Sequence, residues 1–371
     1  MLAKFSVTNF KGFNNEFSFD LQDVKGYTFN KESIKNSLVN NALVYGHNGV
    51  GKSNFGLAIF DIIGHITDKE TNESHYSFYL NALNNSETAT FHYEFNFNSK
   101  KIIYEYQKTD YKTLISEKLV IDGKELASID RRENDEAKIN FKGTESLKRT
   151  LTNRNLSLLK YIKNNSELDE NEENFCFIKF FEFIDGMLFF RSLQQNMYLG
   201  LESGSKGIAE DIIEKKNVSD LENFLNAAGI ECKLTVVKEF DKDALAFDFN
   251  GKTIPFYSIA SQGTQALTLF YYWFQRLREQ SKVSFLFIDE FDAFYHHELS
   301  ALIVNELKKT GIQFVLTTHN TSIITNDLLR PDCYFLMTKD DIRSLAKRTP
   351  KELREAHNIE KMYKARSFNA G

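Results

Sequence analysis

Cysteine is scarce, with three in 371 residues. Cys176, Cys232 and Cys333 lie far apart and are odd in number, so they read as reduced thiols rather than as a disulfide framework or a zinc site. Long apolar runs are also missing. None approaches the ~18–20 residues of a membrane-spanning helix, so no membrane partner is expected. The first residues hold no apolar core and no small-residue cleavage site, so no secretion signal is expected and the expected location is cytoplasmic. Positive charge is short as well: 46 Lys and Arg stand against 51 Asp and Glu, a net charge of −5. A protein that coats nucleic acid is normally basic, so the chain carries no global electrostatic footprint for one. A local exception is residues 339–366, with nine Lys/Arg against five Asp/Glu. This reads as a solvated helix surface, with a partner or nucleic-acid contact as the alternative. No internal repeat or low-complexity tract occurs, and the heptads are too poor for a long coiled-coil arm. What is abundant is core material. Hydrophobic residues make up 42% and aromatics 14%, with 34 Phe, enough for a large core or two lobes.

The strongest motif is Gly46-His47-Asn48-Gly49-Val50-Gly51-Lys52-Ser53, which fits G-x-x-x-x-G-K-[ST]. Its glycines let backbone N–H groups close around phosphate oxygens where a side chain would block the approach. Lys52 is placed to reach the β- and γ-phosphates of ATP, and the Ser53 hydroxyl to ligate Mg²⁺. A chance match in a chain of this length is about 1 in 100 at average composition. The context lowers it further. Asn41-Ala42-Leu43-Val44-Tyr45 reads as a buried strand entering the loop. Ser53-Asn54-Phe55-Gly56-Leu57-Ala58-Ile59-Phe60-Asp61-Ile62-Ile63 reads as a helix leaving it, with its positive end and Asn54 on the phosphates.

Far downstream, Phe285-Leu286-Phe287-Ile288-Asp289-Glu290 is an apolar strand that ends in two acids. Asp289 there would hold Mg²⁺, and Glu290 would polarise the attacking water as general base. Without the phosphate loop, the pair would be an ordinary solvated strand end. Ile312-Gln313-Phe314-Val315-Leu316-Thr317-Thr318-His319 is a second apolar strand, ending in histidine. A helix over about 298–309 between the two has the length of a βαβ crossover. Ser258-Ile259-Ala260-Ser261-Gln262-Gly263-Thr264-Gln265 precedes a long helix expected over 264–280. By itself this is an N-cap turn. As a helix N-terminus it also presents N–H groups and a hydroxyl to an anion.

Taken together, these four elements resemble ATP-binding-cassette (ABC) ATPases. The resemblance implies that His319 contacts the γ-phosphate. It also implies that Ser261 and Gly263, in the S-x-G positions of a degenerate signature, cap ATP held by a second subunit. The opening Leu2-Ala3-Lys4-Phe5-Ser6-Val7-Thr8-Asn9-Phe10-Lys11-Gly12-Phe13 resembles the first strand and turn of SMC- and RecF-type heads. The motif order, the length and the tail (Asp341-Ile342-Arg343, then 352–365) resemble the ATPases of bacterial abortive-infection operons, the AbiL- and RloA-like group. The absence of C-x-x-C removes the zinc hook of some long SMC-like relatives. The resemblance covers most of the chain, but over about 70–250 it is one of layout. It implies antiviral defence, an ATP-bridged homodimer or higher homo-oligomer, and a separately encoded effector, often a nuclease. It also offers Gln194 or Gln195 as a Mg²⁺-contacting glutamine and puts Asp292, His296 and His297 at a dimer seam. A protein-only metal site at His296-His297 lacks further ligands nearby.

The expected fold is α/β: a P-loop NTPase of ABC type with a mixed sheet, an antiparallel β lobe and a helical insertion. The core is read as 1–64 and 255–338, the inserted lobe as 65–254 and a helical tail as 339–371. Phe91, Tyr93, Phe95 and Phe97 alternate and open the β lobe, with a turn at Asn98-Ser99-Lys100. A helical stretch is expected near 145–163, a flexible loop at 169–173, and a capped helix over 219–229. An Asn250-Gly251 hairpin turn follows. Thr349-Pro350-Lys351-Glu352 is a capping box that predicts a helix start. The aromatics 270–274 are assigned to packing. Three functions remain open at this level: a nucleotide-driven switch in defence, a DNA-maintenance ATPase, and a scaffold that binds ATP without turnover. The intact Lys52, Asp289, Glu290 and His319 set argues against the last.

Overall fold

The computed structural model describes residues 1–69, 73–97, 100–191, 197–200, 207–239, 242–278, 283–292 and 297–368. Two sheets sandwich the helix that follows the phosphate loop. The first sheet has seven described strands in the order Met197–Gly200, Met187–Arg191, Phe285–Asp289, Gln313–Thr318, Asn41–Tyr45, Tyr334–Met337, Ile342–Ser344. Its five inner strands are parallel and its two edge strands antiparallel. Buried on both faces, the inner strands read as unbroken apolar runs rather than alternating ones. The second sheet is antiparallel throughout. It runs Lys138–Ile139, Lys124–Asp130, Leu114–Ile121, Lys100–Lys108, Ala89–Phe97, Leu2–Thr8, Phe17–Asp20. Phe91, Tyr93 and Phe95 are buried on one face, as their alternation requires. The expected α/β class, with a mixed sheet and an antiparallel lobe, is what forms. The first sheet also takes two strands, Met187–Arg191 and Met197–Gly200, from within the stretch 65–254.

The helix Lys52–Phe60 is apolar all round because it is covered on all sides. Phe55 meets Phe19 of the antiparallel sheet at 5.2 Å and Phe287 of the parallel sheet at 5.7 Å between ring centroids. Phe60 packs on Phe189 at 5.3 Å. Burying such a ring stabilises the fold by about 1.5–3 kcal/mol. Gly56 lets the helix press close to the parallel sheet: a Cβ there would lie 2.8 Å from both Phe189 and Phe287.

The antiparallel face contributes a polar anchor. Tyr93 donates its hydroxyl to Ala58 O and Ile59 O at 3.0 and 3.1 Å. Just past the helix, the fully buried Asp61 accepts from Lys108 Nζ at 2.7 Å, Tyr106 at 2.9 Å and Tyr79 at 2.8 Å. Burial pulls the Lys108 ammonium down and Asp61 pulls it back. Removing one partner of a buried ion pair leaves the other charge without compensation, at a cost of ~3–5 kcal/mol. Lys108→Met keeps the stem volume, so it is expected to lower the unfolding free energy by that order, read from a urea titration. Adding Asp61→Asn should restore most of the loss. A single variant as stable as wild type would show that the pair does not anchor the helix.

Several local expectations change. The helix expected near 145–163 is Leu158–Asn165. It starts late because Glu117, from the antiparallel sheet, accepts the Ser157 hydroxyl at 2.7 Å and the Leu158 N–H at 2.6 Å. Of the loop expected at 169–173, residues 169–171 lie in the connection between this helix and the next, and 172–173 do not. Asn171 caps the helix Glu172–Asp185, and Glu172 and Glu173 occupy its first turn, where the helix dipole favours acids. The helix expected from Ser219 starts at Val218 behind Asn217 and ends before Gly229, at φ +83°. No helix starts at Thr349. Its hydroxyl accepts from Lys351 N, two residues on, and so closes a turn instead of a capping box. The tail helix is Ile359–Lys364, capped by Asn358. The Asn250-Gly251 turn forms as expected, with φ +55° and +92°, between Lys242–Phe249 and Lys252–Pro255. The long helix is Gln262–Arg278 and the crossover helix His297–Thr310. Tyr271, Tyr272 and Phe274 are buried core. The Asn98-Ser99 turn lies outside the described residues.

Candidate functional site

Three adjacent parallel strands, Asn41–Tyr45, Gln313–Thr318 and Phe285–Asp289, end at the same edge of the sheet. Ligands of open α/β sheets bind beyond the carboxyl ends of such strands. The first leads into the phosphate loop, the second into His319 and the third into Asp289-Glu290. The site is thus assembled by register: Thr318 lies opposite Tyr45, and Ile288 opposite Leu316.

The phosphate loop has the backbone its motif demands. Gly49 and Gly51 sit at φ +80° and +106°, a region that L side chains rarely adopt. Gly46 is needed for room, since a Cβ would fall 2.9 Å from Val50 and 3.0 Å from Met337 O. Lys52, 4% exposed, folds back over the loop. Its Nζ donates to Gly46 O at 2.9 Å and lies 3.0 and 3.3 Å from the two ring nitrogens of His319. Burial lowers the Lys52 ammonium, while Glu290, Asp289 and Asp292 raise it again.

His319 Nε2 lies 2.9 Å from Glu290 Oε1. The ring thus stands between the Lys52 ammonium, which lies nearest the same Nε2, and the Glu290 carboxylate. Lys52, His319 and Glu290 are therefore linked across the strand ends. Glu290 itself sits at φ +51°, uncommon for any residue but glycine and costing of order 1–3 kcal/mol. Its N–H donates to Thr317 Oγ1 at 2.7 Å, which fixes the turn that aims the carboxylate.

Ser53 donates its hydroxyl to Asp289 Oδ2 at 2.5 Å. A hydroxyl beside a carboxylate is the hard oxygen pair that Mg²⁺ takes along with phosphate oxygens and waters. Ser53 and Asp289 therefore fit that ion and would hold it. Among the described residues, no group of His, Cys, Asp and Glu could hold a metal by protein ligands alone.

Two residues were given no role by the sequence reading. Thr317 uses its one hydroxyl twice, accepting from Glu290 N and donating to Asp289 Oδ1 at 2.8 Å, so it sets both acids at once. Thr318 donates to the buried Asp292 at 2.7 Å. Burial raises the Asp292 carboxyl, and the Thr318 hydroxyl opposes that shift. The only signal for either threonine was its place just before His319.

Ser261 immediately precedes the helix Gln262–Arg278. Its Oγ accepts from Thr264 N at 3.1 Å and pairs with the Thr264 hydroxyl at 2.9 Å. Gly263 lies in the first turn. Among the described residues, no hydrogen bond joins Ser261 to the phosphate loop of its own chain. The cap is exposed at Ser261 and Gln262. The tail packs beside the residues that flank the phosphate loop and His319. Tyr363 packs edge-on against Tyr45 at 4.9 Å, and Thr321 donates to Glu360 at 3.4 Å. Gln194, Gln195 and His296 lie outside the described residues, as does the side chain of His297.

A family model described as "AAA domain, putative AbiEii toxin, Type IV TA system" matches residues 42–325. No curated protein matches the chain. Among solved structures, it is similar to an Smc head bound to the C-winged helix domain of ScpA. That match has 14% identity over 92% of this chain and 97% of the other, with a TM-score of 0.46. An SMC head domain from Thermotoga maritima is 14% identical over 95% and 99% of the two chains, with a TM-score of 0.42. An Smc head with an extended coiled coil, bound to the C-terminal domain of ScpA and derived from Pyrococcus furiosus, is 11% identical over 98% and 99%, with a TM-score of 0.45.

Proposed function

The chain belongs to the AAA-domain family described as including AbiEii-type toxins of type IV toxin–antitoxin systems, and from that premise we propose that it is an ATPase whose nucleotide drives self-association. The observation that carries this reading is the linked set at three strand ends: Lys52, His319 and Glu290 on one line, Ser53, Asp289 and Thr317 on the other. When ATP enters, Lys52 exchanges Gly46 O for β- and γ-phosphate oxygens, and the phosphate-loop N–H groups take the remaining charge. Ser53 and Asp289 would hold Mg²⁺, an ion that would supply charge neutralisation on the phosphates. Glu290 takes a proton from the water that attacks the γ-phosphorus. The bond to the β–γ bridging oxygen breaks, and ADP and phosphate leave. His319, hydrogen-bonded to Glu290, is placed to hold the γ-phosphate and the base together.

Among the described residues, no hydrogen bond joins Ser261 or Gly263 to the phosphate loop of their own chain, which fits a site that one chain does not close. They complete it when supplied by a second copy, so two ATP molecules bridge a head-to-tail dimer. Hydrolysis reopens the dimer. In the defence reading, that cycle holds or releases a separately encoded effector, often a nuclease in such systems. The family description favours this reading over DNA maintenance, and the net charge of −5 adds to the preference.

The composite site has its own test. Ser261→Arg should bind ATP normally and fail to hydrolyse it, since a long cation would fill the space of the facing γ-phosphate. Mixing it with Lys52→Ala protein should restore part of the activity, because one face then pairs an intact phosphate loop with an intact cap. Phosphate release is read against each variant alone under subunit exchange. Full activity of Ser261→Arg by itself would remove the composite site and leave a self-sufficient P-loop ATPase.

A further inference from the structure

Two surface stretches carry no charge in a chain that is 26% charged. One is residues 76–86, between His75 and Glu87. The other is residues 253–275, between Lys252 and Arg276. At ~25% charged per position, an uncharged run as long as the second is expected in about one chain in ten of this length, so exposure rather than run length marks the surface. Part of that run is buried helix, but its leading end is not. Tyr257 is 52% exposed and Ile259 49% exposed, just ahead of Ser261. In the first stretch Phe78 is 94% exposed and Leu83 83% exposed. Loss of charge with exposed aromatic and aliphatic side chains is the compositional mark of an interface core.

The first stretch is built rather than loose. Its backbone is tied to the turn 9–14 by a set of asparagines. Asn9 Nδ2 donates to Ser86 O and Thr88 O at 2.8 and 2.9 Å, and Asn84 Nδ2 to Asn14 O at 2.7 Å. Asn81 Nδ2 donates to Lys11 O, and Lys11 N to Tyr79 O at 2.9 Å. Phe78 is held at φ +52°, which is a true outlier for a bulky residue. The backbone strain thus displays the ring to solvent instead of burying it. That turn in turn lies on the phosphate loop. A Cβ on Gly12 would sit 3.6 Å from Asn54 Nδ2, and one on Gly51 would sit 3.6 Å from the Phe13 ring.

One apolar patch is therefore tied to the turn that packs on the phosphate loop, and the other immediately precedes the Ser261 cap. We infer that the two patches meet each other across the nucleotide-bridged dimer, Phe78 and Leu83 of one copy against Tyr257 and Ile259 of the second. This rests on the composite-site reading above. A two-fold dimer that brings cap to phosphate loop brings each patch to its complement twice, since contacts in such an interface are reciprocal. The charge nearest the first patch is the exposed Lys11 ammonium, which donates to Ser77 O at 2.8 Å. The patches supply apolar association energy that ATP contacts alone do not provide. They also give the chain a reason to expose Phe78 on a strained backbone.

Sedimentation with Mg²⁺ and adenylyl-imidodiphosphate tests this. Wild type should form a dimer. Phe78→Asn suits the left-handed backbone, so it removes the ring without unfolding the loop. It and Ile259→Ser should each weaken dimerisation at least tenfold, with unchanged affinity of the dilute monomer for the nucleotide. A mixture of Leu83→Cys and Ile259→Cys chains should give a bis-maleimide cross-link that needs nucleotide and that neither chain gives alone. A wild-type dimer with unchanged dissociation constant in the patch variants, or no cross-link in the mixture, overturns the patch pairing and leaves the composite site standing. A wild type that stays monomeric with nucleotide overturns both.

Discussion

Glu290→Gln is expected to keep ATP binding and lose ~10²–10⁴-fold in turnover, the range for removal of a general base. The amide has the same shape, so it keeps the contact with His319 Nε2 and the backbone bond to Thr317. It cannot accept the water's proton. The backbone at φ +51° and the Thr317 bond aim the carboxylate whatever its charge, so the loss should appear in the rate and not in the affinity. Phosphate release at saturating ATP, with equilibrium titration beside it, separates the two. Hydrolysis at the wild-type rate would move the base elsewhere. Asp292 is the next carboxylate in line, but it is buried and bound to Thr318.

Lys52→Ala is expected to weaken ATP binding by ~10²-fold or more. Charge-assisted hydrogen bonds contribute about 1.5–3 kcal/mol each, and the ammonium makes more than one to the β- and γ-phosphates. The second consequence is electrostatic. Lys52 is the cation among Glu290, Asp289 and Asp292, each of which favours its charged form. Without it, three acids face the incoming triphosphate. The variant should therefore regain some affinity as salt screens that repulsion, whereas wild type should lose affinity with salt. Equal affinities for ATP by titration would refute the role given to the phosphate loop.

The residues of the candidate site were legible wherever chemistry is written in adjacent positions. A glycine-rich loop ahead of Lys52-Ser53, four apolar residues before Asp289-Glu290 and six residues of strand before His319 are local patterns. Local patterns suffice to predict a loop or a strand end. Thr317 was not legible because its role depends on register. Only the pairing of Phe285–Asp289 with Gln313–Thr318 puts one hydroxyl between two acids. The αL turn at Glu290 was hidden for the same reason, since the bond that holds it comes from another strand.

The element boundaries divide in the same way. Strands and helices with a strong period appeared where the sequence put them, because their apolar faces leave one buried arrangement. Helix starts were decided at a distance. Glu117 postponed one helix to Leu158. At Thr349 a bond to the nearest free N–H replaced a capping box, while Leu353 was buried at 2% exposure. A cap contributes about 1 kcal/mol, less than the burial of one large side chain, so tertiary packing overrides it. The sequence alone determined the phosphate loop, the acid pair, the histidine and the α/β class, since each needs only neighbours in the chain. The tertiary structure alone decided which hydroxyls orient the acids. It also decided that, among the described residues, the Ser261 cap makes no bond to its own phosphate loop and that Phe78 and Tyr257 stand exposed. All three depend on which distant strands and turns pack together.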